Sequence, residues 1–104
     1  MKVLINAFSF NMLAQLTATV TSREIEVDEA KRLAPEFESG VGHTDTAALF
    51  SKVLGMEVPH ARKTVSLKAG DELLIGQYRG PRLPEGVSTL PVGASIEWAH
   101  VTIT

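Results

Sequence analysis

The sequence predicts one α/β domain spanning residues 1–104, a mixed β-sheet flanked by α-helices. Three observations lead there. A chain of 104 residues has room for one domain with one modest core. Short β-rich or alternating stretches stand near both ends, and two helical patterns lie between them. Hydrophobic residues make up 44% of the chain and charged residues 21%, the balance of a folded protein and not of a disordered one.

Taken in order, residues 2–5 (Lys-Val-Leu-Ile) read as a short buried strand that opens into the polar and aromatic loop 6–12. Residues 18–27 set Val20, Ile25 and Val27 among threonines, which suits a second strand. Over 28–34, Asp28 and Glu29 precede Lys31 and Arg32, a charge order that complements a helix dipole, and Pro35 stops the helix. The glycine-rich turn 39–44 leads into a helix over 44–54. Thr44 or Asp45 is its expected cap, Leu49, Phe50, Val53 and Leu54 form its apolar stripe, and Gly55 ends it.

Residues 62–67 and 71–78 are predicted to pair as a hairpin, because Lys68-Ala69-Gly70-Asp71 has turn chemistry. Gly80, Pro81, Pro84, Gly86, Pro91 and Gly93 make 80–93 an ordered loop. The alternation of Ile96, Trp98, Val101 and Ile103 marks a last strand, with Trp98 as packing. The predicted order is β, β, α, α, β, β, β, without repeat, linker or low-complexity segment.

Composition narrows the function classes. The net charge of -2 argues against general duplex DNA binding, which needs a basic face, but leaves room for a small anion held by a few arginines. With no cysteine, zinc-cysteine sites, disulfides and thiol catalysis are excluded. Asn6, Ser9 and Asn11 interrupt the apolar start, so a signal peptide is not expected, and no stretch approaches the length of a membrane span. The expectation is a cytoplasmic protein. A chain this short builds a large site only by sharing it, which makes self-association the natural expectation.

His43 is the first candidate for chemistry. Gly42 and the turn before it deliver this imidazole to a helix N-terminus, where free N–H groups and the dipole attract phosphate. An imidazole beside a phosphodiester is suited to protonate a leaving oxygen. On the local pattern alone a capping or surface histidine is the commoner reading. Arg79, Arg82 and Glu85 cluster in the loop after a strand, where guanidinium forks suit phosphate and a carboxylate can orient a hydroxyl. A solvated ion pair in a Pro-Gly loop is the plainer alternative. Arg62 and Lys63 read as exposed charges. His43, His60 and His100 lack ligand spacing, so no metal and no cofactor is expected. Phe8, Phe10 and Tyr78 could stack on a base, although aromatics near strand ends more often belong to the core.

Leu4-Ile5-Asn6-Ala7-Phe8-Ser9 with Asn11-Met12-Leu13, then Gly42-His43-Thr44-Asp45-Thr46, then Arg82-Leu83-Pro84-Glu85-Gly86 closely resemble the type III anti-CRISPR viral ring nuclease family. The pieces stand in the family's order and spacing nearly end to end. The resemblance implies a homodimer that binds cyclic tetra-adenylate across its interface and cleaves it without metal. It implies that His43 is the general acid and that Arg82 and Glu85 bind and orient the scissile phosphate. Asn6, Ser9, Asn11, Arg62 and Gln77 would contact the ligand, with Gly42 in the motif turn. The stretch Tyr78-Arg79-Gly80-Pro81 is a residue longer than in some members, which leaves open whether Arg79 or Arg82 reaches the phosphate. The alternative reading is a module that binds or sequesters a cyclic nucleotide without cutting it.

Overall fold

Val3, Leu4 and Ile5 are all buried, as a strand with no polar side chain among them requires when both of its faces are covered. This strand, β1 (Lys2–Ile5), lies inside a five-stranded sheet in a computed structural model that describes residues 1–87 and 89–104. The predicted loop 80–93 includes Ser88, which lies outside the described residues. The other elements are β2 (Val20–Ile25), α1 (Val27–Leu33), β3 (Glu38–Ser39), α2 (Thr44–Leu54), β4 (Glu72–Arg79) and β5 (Ser95–Ile103). The strand order is β2-β5-β4-β1-β3. β1 runs parallel to β3 and β4, with Leu4 opposite Ser39 and Leu74. β5 runs antiparallel to β4 and β2, so the sheet is mixed, as predicted.

Helices cover one face only. There Leu4, Leu74, Trp98 and Ile25 pack under Ala30, Ala34, Phe37, Ala47, Phe50 and Leu54. Gly76 makes the closest approach possible: a Cβ on it would lie 2.6 Å from Trp98 Cζ3 and 2.7 Å from Phe50 Cζ. Those two rings sit 5.0 Å apart over the glycine, and Trp98 is packing, as expected. On the other face Val3, Ile5, Leu73, Val101 and Ile103 are covered by Val65 and Leu67, with Phe8, Met12 and Leu13 at the border.

That second layer corrects the predicted hairpin of 62–67 with 71–78. β4 pairs with β1 on one side and β5 on the other, so no edge is left for 62–67. Val65 and Leu67 instead lie flat on the sheet, where Leu67 bridges Leu13. The turn itself forms as predicted, with the Asp71 N–H donating to the Lys68 carbonyl at 3.0 Å and Gly70 at φ 96°. It lifts the chain from the face into the sheet. β3 was not foreseen because two residues carry no periodicity. α1 ends at Leu33, just ahead of Pro35 as predicted, and Pro35 itself sits inside a 3-10 turn over Ala34–Glu36. No helix is long and apolar enough to cross a membrane among the described residues.

Asp71 is the one buried charged residue among those described. Its carboxylate accepts the Lys68 N–H at 2.9 Å and pairs with the Met1 amine at 2.9 Å. The Lys68 N–H, and after it the amine, hold the Asp71 carboxyl below its ordinary value. A depressed carboxyl contributes stability above the unfolded value, about 3.9, and loses it as pH falls through the folded value. Asp71→Asn is therefore expected to be less stable at pH 7, by about 1.5 to 3 kcal/mol, and to show a shallower loss of stability below pH 4. Urea unfolding at pH 7 and pH 3 checks both; equal acid slopes in the two proteins contradict this account.

Candidate functional site at the carboxyl ends of the parallel strands

Because β1, β3 and β4 run in the same direction, the chain leaves all three at one end of the sheet, the end where open α/β sheets hold ligands. Asn6 follows β1, the turn to His43 follows β3, Gln77 lies late in β4, and Arg82 and Glu85 follow it. Residues far apart in sequence are thus gathered by topology.

His43 is the N-cap residue of α2, with φ -120° and ψ 128°, and its side chain makes no capping hydrogen bond. The first helical bond runs from the Ala47 N–H to the His43 carbonyl at 2.9 Å. The N–H groups of Thr44, Asp45 and Thr46 therefore precede any intrahelical acceptor and sit at the positive end of the dipole. The expected Thr44 or Asp45 cap is corrected. Both residues are already inside the helix, and the Asp45 carboxylate is taken by the Gly86 N–H at 3.1 Å.

The turn before His43 is held from the side. The Gly42 carbonyl accepts from His60 Nε2 at 3.0 Å and from Arg62 Nε at 3.5 Å. Ser39 Oγ donates to the Pro59 carbonyl at 2.6 Å, and the Ala61 N–H donates to Val41 at 2.9 Å. Gly42 and Arg62 are thereby neighbours. The Arg62 stem would stand 3.3 Å from a Cβ at position 42.

A cavity of about 450 Å³ is lined by Asp45, Arg82, Leu83, Pro84 and Glu85. Leu83 is shared with a second, of about 280 Å³, that also holds Asn6, Thr46, Leu49, Gln77 and Tyr78. Asn6 and Gln77 continue into a third, of about 300 Å³, on the helix-free face beside Phe8, Ser22, Ile75 and Ala99. The three cavities are neighbours through shared residues, with Asn6 and Gln77 common to the second and third and Arg82 in the first, and His43 lines none of them.

Arg79 and Arg82 part company. Arg79 pairs with Glu97 of β5 at 2.6 Å, an exposed pair of small energetic weight, whereas Arg82 stands with Glu85 and Asp45. Ser9 and Asn11 face each other across a 3-10 turn, the Asn11 N–H donating to Ser9 Oγ at 3.2 Å, and neither lines these three cavities. Phe10 departs from the core expectation, since it is 72% exposed and stands edge-on to half-buried Phe8 at 6.2 Å. The Tyr78 hydroxyl donates to the Pro81 carbonyl at 2.5 Å and braces the loop's root. His100 is far from these cavities, against Glu72 at 2.7 Å. Among the described residues no group of three or more histidines and carboxylates is arranged to hold a metal ion.

Sequence reasoning singled out His43, Arg82 and Glu85 but not the hydrogen bonds beside them, from Gly86 to Asp45, from His60 to the Gly42 carbonyl and from Tyr78 to the Pro81 carbonyl. Asp45 was marked by its place in the first turn of α2 and in the Gly42-His43-Thr44-Asp45-Thr46 motif, neither of which points to Gly86. His60 carried no such mark.

Three comparisons with known proteins bear on this site. A sequence profile of the STIV B116-like family matches residues 2–91. Uncharacterized protein 26 of Sulfolobus islandicus filamentous virus (isolate Iceland/Hveragerdi) is 35% identical over 57 residues, which is 53% of this chain. That match takes in about half of the viral protein, 48% of its length. The structure of B116 of Sulfolobus turreted icosahedral virus superposes with a TM-score of 0.80 at 26% identity, covering 97% of each chain.

Proposed function

Because the chain belongs to the STIV B116-like family of viral proteins and gathers an imidazole, a helix N-terminus and an arginine-glutamate loop at one sheet end, we propose that it is a ring nuclease. It binds cyclic tetra-adenylate, opens the ring without a metal, and so switches off the ancillary effectors of type III CRISPR defence. The observation that carries this reading is the hydrogen bond from Gly86 to Asp45, which brings the loop of Arg82 and Glu85 to the helix turn that His43 begins. The sequence resemblance supplies the substrate.

The chemistry needs little from the protein. The ring's own 2′-oxygen attacks phosphorus in line, a 2′-O–P bond forms, the P–O5′ bond breaks, and a proton passes from His43 to the leaving 5′-oxygen. Glu85 is positioned to orient the 2′-hydroxyl, whose proton leaves to solvent. Arg82 and the unpaired N–H groups of α2 stabilise the charge at phosphorus. An acidic chain can bind this polyanion because the positive groups are local.

The active form in this reading is a homodimer, and β2 supports it. Thr19 and Thr104 exchange both backbone hydrogen bonds at 2.8 Å. In the register of β2 with β5, the N–H and C=O groups of Val20, Ser22 and Glu24 therefore point away from the sheet. Such an open edge is a template for another strand. Two copies related by a two-fold axis at Ser22 pair edge to edge and join two five-stranded sheets into one. The helix-free-face cavity of each copy, which already reaches Ser22, then lies on the same side of the joined sheet as its counterpart.

Incubation with cyclic tetra-adenylate in excess EDTA, followed by chromatography and mass spectrometry, tests the reading. The expected first product carries a 2′,3′-cyclic phosphate and a 5′-hydroxyl. A 5′-phosphate with a free 3′-hydroxyl, or activity that only added divalent metal restores, overturns the mechanism. Binding without conversion identifies a sequestering module instead.

A further inference from the structure

We infer that Asp45 is a positioning residue, which fixes the loop of Arg82 and Glu85 over the start of α2 through the Gly86 N–H. This rests on the proposed nuclease reading for its consequence, although the latch itself stands on geometry.

β4 ends at Arg79 and β5 begins at Ser95, so the intervening loop is long and rich in proline and glycine. Its own hydrogen bonds are local: Val87 N–H to Pro84 at 3.1 Å and Ala94 N–H to Pro91 at 3.0 Å. Among the described residues, Gly86 to Asp45 is the one hydrogen bond that ties residues 82–93 to another part of the molecule, across 41 residues of sequence.

The turn around that bond is specific. Pro84 accepts from Val87 with Gly86 at φ 80°, so residues 84–87 form a β-turn with glycine at its third position, the signature of type II. In such a turn the third residue's N–H does not close the turn and points outward. Here it meets the half-buried Asp45 carboxylate. Glu85 at the turn's second position and Arg82, two residues before the turn, are thereby aimed by a residue two positions from His43. A carboxylate also suits the first turn of a helix, where the dipole favours negative charge. Asp45 thus links the two halves of the site without needing to touch the reacting atoms.

Asp45→Ala tests this together with Asp45→Asn, whose amide oxygen still accepts a hydrogen bond. The loop is read by trypsin cleavage after Arg82, followed by mass spectrometry, and by hydrogen exchange at the Gly86 amide. In the wild type that amide is expected to be protected. In Asp45→Ala, cleavage after Arg82 and exchange at Gly86 should each rise about 3- to 10-fold, and Asp45→Asn should restore most of the protection. With cyclic tetra-adenylate, Asp45→Ala should lower kcat/KM by about tenfold or more at unchanged melting temperature, again restored by asparagine. An unprotected Gly86 amide in the wild type overturns the latch even if the alanine variant fails to fold. Asparagine behaving like alanine overturns the hydrogen bond as the cause. Loop readouts that respond in a protein with no cleavage activity at all uphold the latch and sink the nuclease reading instead.

Discussion

Replacing His43 with alanine is expected to lower single-turnover opening of cyclic tetra-adenylate by about 100- to 10,000-fold while leaving affinity nearly intact. The reason lies in when the imidazole acts. A general acid matters as charge develops on the departing 5′-oxygen, so its loss falls on the chemical step and not on ground-state binding. His43 also makes no capping bond, so removing its side chain takes nothing from α2. Arg82→Ala separates the roles. A guanidinium that holds phosphate in both the bound and the transition state contributes to affinity as well as to rate, so this variant should lose both. Rapid-quench assays with enzyme in excess, beside equilibrium binding, measure the pair. A His43→Ala protein that cuts at the wild-type rate removes the imidazole from the mechanism.

How much of this was legible in the sequence depends on the range of the interactions involved. β1, α1, α2 and the final strand were readable because each is specified by its own residues: an apolar run, a charge order, an apolar stripe ended by Gly55, an alternation. The 62–67 hairpin failed because strand pairing is a competition. The turn at Gly70 formed as predicted, yet β1 and β5, from opposite ends of the chain, took both edges of β4. Val65 and Leu67 were correctly apolar but were spent on covering a face.

The candidate site divides in the same way. His43, Arg82 and Glu85 could be picked out by chemistry, because imidazole, guanidinium and carboxylate in glycine-rich turns are suggestive in any context. Arg82 was picked out by the motif, whereas the engagement of Arg79 with Glu97 came only with the register of β4 and β5, which sets Arg79 opposite Ser95. The hold of His60 on the Gly42 carbonyl spans 18 residues, and that of Asp45 on Gly86 spans 41. No local pattern encodes either, since a backbone carbonyl or N–H looks the same at every position.

The open edge of β2 gives the second large expected effect. Ser22→Pro should shift the dimer toward monomer, raising its dissociation constant by about 100-fold or more, and cleavage should fall with dimer content. Ser22 stands opposite Val101 in a pair that exchanges no hydrogen bonds, so its N–H points outward and proline removes no bond to β5. In the two-fold arrangement that N–H and its copy bond each other's strand across the axis. The two substitutions of one dimer thus remove two hydrogen bonds, worth about 1 kcal/mol apiece, and set two rings against each other. Ser22→Ala keeps the N–H while removing the hydroxyl that borders the helix-free-face cavity, and should remain dimeric. Light scattering across a concentration series, read beside single-turnover rates on the same samples, distinguishes the outcomes. A Ser22→Pro protein that dimerises like the wild type places the interface elsewhere, and a stable monomer that cuts at the full rate ends the idea of a shared site. Both outcomes are open to measurement because β2 meets the rest of the fold along one edge, leaving its other edge to whatever strand can reach it.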